Sequence, residues 1–315
     1  MLFEYVKPME PVPAAVIPRS PDYLFQVKWD GVRLLAHVQG QRVWLHNRKL
    51  HNRTAHYPEL TGLNRLIAGE AVLDGEIVAM RDGRPNFPLV LTRDLVNPRQ
   101  TDFPYKIRRL MTEAPVCYLV FDLLWHAGQD LRSLPLLDRQ NRLAEILRND
   151  DTVYLVENFA DGEKLFTAIA EQKLEGIVAK KTDSSYIAGK KHTAWLKIKH
   201  RQQQLVVIGG YTMKNGQINA LLAGAYYQEK LIYVGKVAAG LSLQQLRELT
   251  PFLQKNTLAA PPFANLELKN QSNIYWVKPL LTAVITFQEW TDDLRMRHPV
   301  LSGFTKEEPA ACILT

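Results

Sequence analysis

Residues 25–33 read Phe25-Gln26-Val27-Lys28-Trp29-Asp30-Gly31-Val32-Arg33. This is a strand pattern that runs into a tight turn at Asp30-Gly31, with a second strand pattern over Leu34–Val38. Alternation puts Phe25, Val27 and Trp29 on one face and Gln26 and Lys28 on the other. Lys28 is thus held on a rigid strand just before the chain is re-aimed, a placement suited to a nucleophile. An amine must lose its proton to attack, and free lysine titrates near ~10.4. Desolvation or nearby cations lower that value. The plainer alternative is an ordinary hairpin with an exposed lysine, since Asp-Gly is a common hairpin turn.

Working outward, the chain has 315 residues, 46% hydrophobic and 23% charged, which is an ordinary globular composition with length for two domains. A net charge of +7 favours an anionic partner, nucleic acid first, although a merely basic enzyme is equally compatible. Cys117 and Cys312 lie far apart and imply neither a disulfide framework nor a zinc cluster, and Cys117 sits in an apolar run that predicts a core position. No apolar signal core opens the sequence, and no stretch is long and apolar enough to span a membrane, so the expected location is cytoplasmic.

Five prolines (Pro8, Pro11, Pro13, Pro18 and Pro21) predict an extended arm leading into the first strand. Arg42–His46 reads as a strand, Pro58–Ala68 as a helix, and Ala71–Met80 as a strand interrupted by Asp74-Gly75-Glu76. Val116–Trp125 reads as a buried strand, Asp138–Arg148 and Gly162–Gln172 as amphipathic helices, and Gly176–Ala179 and Trp195–Lys199 as short strands. The first two-thirds is therefore α+β, without a regular βαβ rhythm. Past a polar run at His200–Gln204 the texture changes to several strands around one helix opening at Ser242 (Leu243, Leu246 and Leu249 inward), which fits a small barrel such as an OB-fold.

Several residues along this path can carry chemistry. Asp74 and Glu76, two apart on a strand, point their carboxylates the same way, toward a divalent cation or a ribose hydroxyl. Gly75 between them hints at close approach by a ligand. A solvated sheet face is the plainer alternative. Lys197 and Lys199 also share a face, where they would repel unless an anion lies before them; two exposed lysines on an edge strand is the alternative. Glu175 opens a strand as a further candidate metal ligand. Phe121 is core by default, or a stacking platform for a base if it faces the cleft of Lys28.

Taken in order, these residues resemble the motifs of the covalent nucleotidyltransferases: ATP-dependent DNA ligases, RNA ligases and capping enzymes. Lys28-Trp-Asp-Gly-Val-Arg33 resembles motif I, and Arg48 the motif Ia arginine. Asp74-Gly-Glu76 resembles motif III and Phe121-Asp122 motif IIIa. Glu175-Gly-Ile-Val-Ala-Lys180 resembles motif IV and Trp195-Leu-Lys197-Ile-Lys199 motif V. The Tyr186-to-Lys191 run is also ligase-like, and the wording as a whole is most similar to the bacterial ligases of non-homologous end joining. The resemblance implies an adenylation (nucleotidyltransferase) domain of antiparallel sheets with flanking helices over residues 1–201, and an OB-fold DNA-binding domain over residues 202–315. It implies ATP as cofactor, carried covalently as AMP on Lys28, with Mg²⁺ or Mn²⁺, and nicked or broken duplex DNA as substrate.

The resemblance also assigns roles. Lys28, Asp30, Lys197 and Lys199 would be catalytic. Arg33, Glu76, Phe121, Glu175 and Lys180, with Lys197 and Lys199, would bind the nucleotide. Arg33, Arg48 and Lys191 would contact DNA, and Asp74, Glu76 and Glu175 the metal. The expected form is a monomer; any Ku, polymerase or nuclease partner would be a separate chain, since 315 residues leave no room for those modules. The alternatives are an RNA ligase or capping-type nucleotidyltransferase, and a DNA-end-binding module with weakened catalysis. Two departures stand out. Arg48 is followed by Lys49-Leu50 in place of the family's Asn-Gly. Motif VI reads Gly303-Phe304-Thr305-Lys306-Glu307-Glu308, with Thr305 where an arginine is expected, so slow self-adenylylation is predicted, with Lys306, Arg295 or Arg297 as candidate replacements.

Overall fold

The structure, a computed structural model, describes residues 2–81, 83–172, 174–266, 273–291 and 293–314; the side chain of Leu243 lies outside the described residues. Two compact units divide the chain, Met1–His200 and Arg201–Thr315. In the first, strands run β1 (Glu10–Pro13), β2 (Tyr23–Val27), β3 (Val32–Gln39), β4 (Arg42–Asn47), β5 (Ala71–Arg81), β6 (Val116–His126), β7 (Val153–Leu155), β8 (Gly176–Lys181) and β9 (Lys191–Lys199). They build a four-stranded sheet in the order β1-β9-β8-β2 and a seven-stranded sheet whose spine is β4-β3-β5-β6. Pairing along β9-β8-β2 and along the spine is antiparallel, while β1 on β9 and β7 on β6 are parallel.

Period-two patterning decides which side of each sheet is covered. The outer face of the larger sheet (Leu34, Ala36, Leu73, Ile77, Tyr118, Val120) packs on Leu60, Leu63, Leu143 and Ile146. The outer face of the smaller sheet (Phe25, Ile177, Ala179, Ile198) takes Leu165 and Ile169 of a helix over Gly162–Glu171, whose first turn is capped by Asp161. Between the sheets lies a third core, where Leu24, Ala194 and Trp195 meet Leu35, Val72 and Leu124.

Several expectations change. Asp30-Gly31 is no hairpin turn: β2 and β3 belong to different sheets, and the turn carries the chain across. A Cβ on Gly31 would lie 2.1 Å from the Ile77 carbonyl, so only glycine lets the crossing run this close to β5. The β5 strand runs unbroken through Asp74-Gly75-Glu76. Gly75 makes room for protein rather than ligand, since a Cβ there would meet the Tyr118 ring at 2.6 Å. The irregularities lie in the partner strand: Val72 pairs with Trp125 and Leu73 with Leu123, which leaves Leu124 extra, and Asp74 pairs with Asp122 and Gly75 with Val120, which leaves Phe121 as the extra residue of the β-bulge at the cleft. Strand β9 is interior, flanked by β1 and β8. Cys117 is half-buried, whereas Cys312 is fully buried. Pro58–Arg65 forms a 3₁₀ helix, and two helices, Phe87–Asp94 and Phe103–Glu113, occupy a stretch where the sequence patterns single out no element.

Among its described residues, the second unit is all-β apart from one long helix and a short 3₁₀ turn. Strands β10 (Gln202–Lys214), β11 (Gln217–Tyr227), β12 (Lys230–Val237), β13 (Ile274–Phe287) and β14 (Val300–Thr305) form an antiparallel sheet, with a helix over Leu243–Lys255. That helix opens on a capping box between Ser242 and Gln245, and its Leu246 and Leu249 pack on the unit's core.

Candidate active site

The site lies in the first unit, in the cleft between its two sheets. Register places Gln26 opposite Val178, Val178 opposite Lys197, and Gly176 opposite Lys199, while the Lys28 N–H donates to the Gly176 carbonyl. Gln26, Lys28, Lys180, Trp195, Lys197 and Lys199 therefore share the inner face of the smaller sheet. Across from them, Arg33, Asp74, Glu76, Leu119 and Phe121 share the inner face of the larger one.

Glu175 joins the lysines. Its Oε2 accepts from Lys28 Nζ at 2.5 Å and its Oε1 from Lys199 Nζ at 2.7 Å, with the carboxylate side chain 5% exposed. Burial pulls the Lys197 ammonium below its ordinary range, helped by the like charges of Lys28, Lys199 and Lys191. Opposite, burial pushes the Glu76 carboxyl up to about 7 against the pull of Lys28 and Arg33, with Asp74 and Glu175 adding to the rise. Glu76 makes no hydrogen bond or ion pair among the described residues.

Asp74 is otherwise disposed. It is fully buried, takes Arg33 Nε at 2.8 Å and Arg33 Nη2 at 2.6 Å, and accepts the Tyr186 hydroxyl at 2.6 Å. Facing it across the strands, Asp122 receives an equal fork from Arg139, at 2.8 Å to each oxygen, with both residues fully buried. Two carboxylates side by side in a dry interior would repel strongly; a forked guanidinium on each removes that cost. For Arg33, burial favours the neutral form, but Asp74 outweighs it and the guanidinium stays charged.

Phe121 faces this cleft, half-buried, with Lys180 Nζ 4.2 Å and the Arg33 guanidinium 4.8 Å from its ring centre. Lys180 sits equally close, 4.2 Å, to the Trp195 ring and makes no hydrogen bond among the described residues. Burial lowers its amine to about 7. The bulge frees the Phe121 carbonyl, which accepts Gln140 Nε2 at 3.0 Å; Gln140 Oε1 accepts Asn158 Nδ2 at 2.8 Å, and Asn158 Oδ1 accepts Gln26 Nε2 at 2.7 Å. Because a backbone carbonyl only accepts, the direction of all three amides is fixed. An apolar pocket of about 570 Å³ opens beside the chain neighbours of Lys28, lined by Val27, Trp29, Val78, Leu119 and Phe159 among others, and neither Lys28 nor Phe121 lines it.

The structure thus gathers Lys28, Arg33, Asp74, Glu76, Phe121, Glu175, Lys180, Lys197 and Lys199 around one cleft. Asp30 follows Lys28 on the crossing turn and is half-buried. Arg48 is exposed on the turn after β4, and Lys191 is exposed at the start of β9; neither joins the hydrogen-bonded cluster. Among the described residues no group of three or more His, Cys, Asp or Glu converges as a ready metal site. Glu76 has open oxygens among the described residues, whereas those of Glu175 receive Lys28 and Lys199 and those of Asp74 receive Arg33 and Tyr186; a hard cation commonly takes only one or two carboxylates from protein and the rest from phosphate and water. Asp74, fully buried and held by a guanidinium fork, is the least accessible of the three. The amide chain Gln26–Asn158–Gln140 and the Asp122–Arg139 pair were not foreseen. The one signal available was that Gln26 shares the Lys28 side of its strand.

A family profile described as ATP dependent DNA ligase domain matches residues 1–199, and one described as ATP dependent DNA ligase C terminal region matches residues 214–308. The chain is 30% identical over 298 residues to the multifunctional non-homologous end joining protein LigD of Mycobacterium bovis, covering 92% of this chain and 37% of that protein. It therefore spans little more than a third of that relative's length. Among solved structures, the ligase domain of M. tuberculosis LigD covers 99% of this chain and is itself covered in full, at 28% identity and a TM-score of 0.54. A mycobacterial DNA ligase D complexed with ATP and MES matches over the same shares at 29% identity and a TM-score of 0.54.

Proposed function

Since the chain belongs to the ATP-dependent DNA ligase family, matched over residues 1–199, we propose that it seals 5′-phosphate/3′-hydroxyl breaks in duplex DNA through an adenylate carried on Lys28. The observation that carries this is the lysine cluster at Glu175: a candidate nucleophile and two further lysines share one face, and Glu175 is the carboxylate that pairs directly with two of the three. Such a face suits a polyphosphate.

Lys28 Nζ, once deprotonated, attacks the α-phosphorus of ATP, and pyrophosphate leaves. The 5′-phosphate oxygen of the broken strand then takes the adenylate from Lys28, and the 3′-hydroxyl displaces AMP. Each step is in-line displacement at phosphorus, where positioning and charge neutralisation supply most of the rate. Lys197 and Lys199 neutralise the α-phosphate. Glu76, unpaired in the free chain, holds the ribose. Phe121 is the ring against which the base lies, over Lys180. Asp30, next after Trp29, keeps the turn that presents Lys28. Arg33 and Arg48 grip the 5′-phosphate, and Lys191 contacts the duplex. Mg²⁺ or Mn²⁺, held by Glu76 and Glu175, would add charge neutralisation at the phosphates.

On this proposal residues 1–201 are the adenylation domain and residues 202–315 an OB-fold domain that holds duplex DNA by its backbone. The setting is cytoplasmic repair of double-strand breaks by end joining, as the name of the LigD relative suggests. No helix among the described residues is long and apolar enough to cross a membrane. The test is protein labelling with α-labelled ATP and Mg²⁺, followed by a nicked duplex. Label on the wild type, absent from Lys28→Ala and released as AMP when the nicked duplex is sealed, is expected. Equal label on both proteins would refute the assignment of Lys28.

A further inference from the structure

Tyr186 takes no part in the chemistry above, yet its hydroxyl joins two distant parts of the chain. It donates to Asp74 Oδ2 at 2.6 Å and accepts the Met9 backbone N–H at 3.0 Å. The ring is buried, edge-on to Trp195 with centroids 5.7 Å apart. Burial, with the negative charge of Asp74, holds the phenol far above its ordinary value, so it remains a donor. Around it the N-terminal arm is tied down. Ile187 N–H points at Met9 Sδ at 3.2 Å, Gly189 N–H donates to the Lys7 carbonyl at 2.9 Å, and Glu10 N–H donates to the Lys190 carbonyl at 2.9 Å.

Asp74 is buried and its oxygens receive three donors, two from Arg33 and one from Tyr186. Its evident task is to hold Arg33, and Tyr186 is the third point that fixes it. The path from arm to cleft thus runs Met9, Tyr186, Asp74, Arg33. None of the hydrogen bonds on that path involves Lys28, Glu175 or Lys199.

We propose that Tyr186 is a positioning residue that couples the docked arm to Arg33 through Asp74, serving the steps in which Arg33 meets the 5′-phosphate and not the loading of Lys28. This rests on the function proposed above. Without the hydroxyl, Asp74 loses a donor, the Met9 N–H is orphaned, and Arg33 is freed to reorient.

The test uses the whole chain with Tyr186→Phe, which removes one oxygen. Three quantities are measured: single-turnover labelling of Lys28 from α-labelled ATP, single-turnover sealing of a pre-adenylylated nicked duplex, and binding to nicked duplexes with and without a 5′-phosphate. Labelling within about twofold of wild type is expected, with sealing slower by about tenfold or more, the worth of a hydrogen bond to a charged group. The preference for the 5′-phosphate should shrink in step. Measured against Met9→Ala, which loses the buried side chain but keeps the N–H, a second variant, Met9→Pro, removes the N–H that Tyr186 accepts. It should show the same pattern and add little to Tyr186→Phe, because both lie on one path.

Unchanged sealing, or an equal fall in labelling and sealing, would overturn the role of Tyr186. Additive losses in the double variant would overturn the link to the arm. A wild type that neither labels nor seals would overturn the ligase function itself, and this inference with it.

Discussion

Lys180 is an amine kept where water barely reaches it, between two aromatic rings and without a hydrogen bond among the described residues. Its amine titrates at about 7 in the folded chain against 10.5 when free. Between those values the unfolded chain binds a proton that the folded chain does not, so stability rises as pH climbs from about 7 toward 10.5 and is lost on the way back down. Urea unfolding at pH 7 and pH 9 should show that rise, and Lys180→Met should flatten it; an identical slope in the variant would mean that burial costs this amine little. The Gln26–Asn158–Gln140 chain makes a second residue-scale claim. Gln140→Leu cuts it from the Phe121 carbonyl and should raise the KM for ATP in Lys28 labelling roughly two- to tenfold, the net worth of one hydrogen bond. An unchanged KM would make the chain mere scaffold. Side chains on a regular strand were legible in the sequence, because period-two alternation alone puts Lys28 beside Gln26 and Lys197 beside Lys199. Their partners were not: Arg139, Asn158 and Gln140 come from a helix and a loop distant in sequence, and nothing local announces them.

Among elements, the bulge in β6 does most to shape the site. It breaks the ladder opposite Asp74-Gly75, turns Phe121 and Asp122 toward the cleft together, and frees the carbonyl that Gln140 caps. Sequence patterning marked the wrong strand, because Asp74-Gly75-Glu76 reads as a break when the polar residues in fact face a buried cleft. Gly75 exists for the Tyr118 ring, whose hydroxyl donates to the Leu34 carbonyl at 2.9 Å. Gly75→Ala should therefore destabilise the chain by about 1–3 kcal/mol through overpacking. Gly62→Ala, where a Cβ meets nothing within 4 Å, should be close to neutral. Denaturant midpoints compare the two, and equal values would refute the packing account. The helices over Phe87–Asp94 and Phe103–Glu113 escaped notice because each carries a proline in its first turn, Pro88 and Pro104. Proline there stops no helix, since the N–H it lacks has no partner in that turn.

For the molecule as a whole, the charge of +7 predicts that affinity for nicked duplex falls linearly with the logarithm of salt concentration, measured by titration; a flat response would argue against backbone binding. The second unit carries the weakest match to the motifs. Thr305 ends β14 with its carbonyl taken by the Thr282 hydroxyl, Arg297 is paired with Glu289, and Arg295 lies on Tyr233, which leaves exposed Lys306 as the nearest replacement for the expected arginine. Thr305→Arg should speed single-turnover labelling of Lys28 while sealing of a pre-adenylylated duplex stays unchanged; no gain would show that the segment is already adequate. The crossing at Asp30-Gly31 needed coordinates, because a turn looks the same whether it joins neighbouring strands or separate sheets. The facing pairs Asp74–Arg33 and Asp122–Arg139 carry a last consequence, for how this sequence can drift. Replacing any one of the four alone strands a charge in the dry interior, and a change that spares one pair still leaves the other facing altered electrostatics. Mutational paths through this region are therefore narrow, and substitutions that succeed there should arrive in couples.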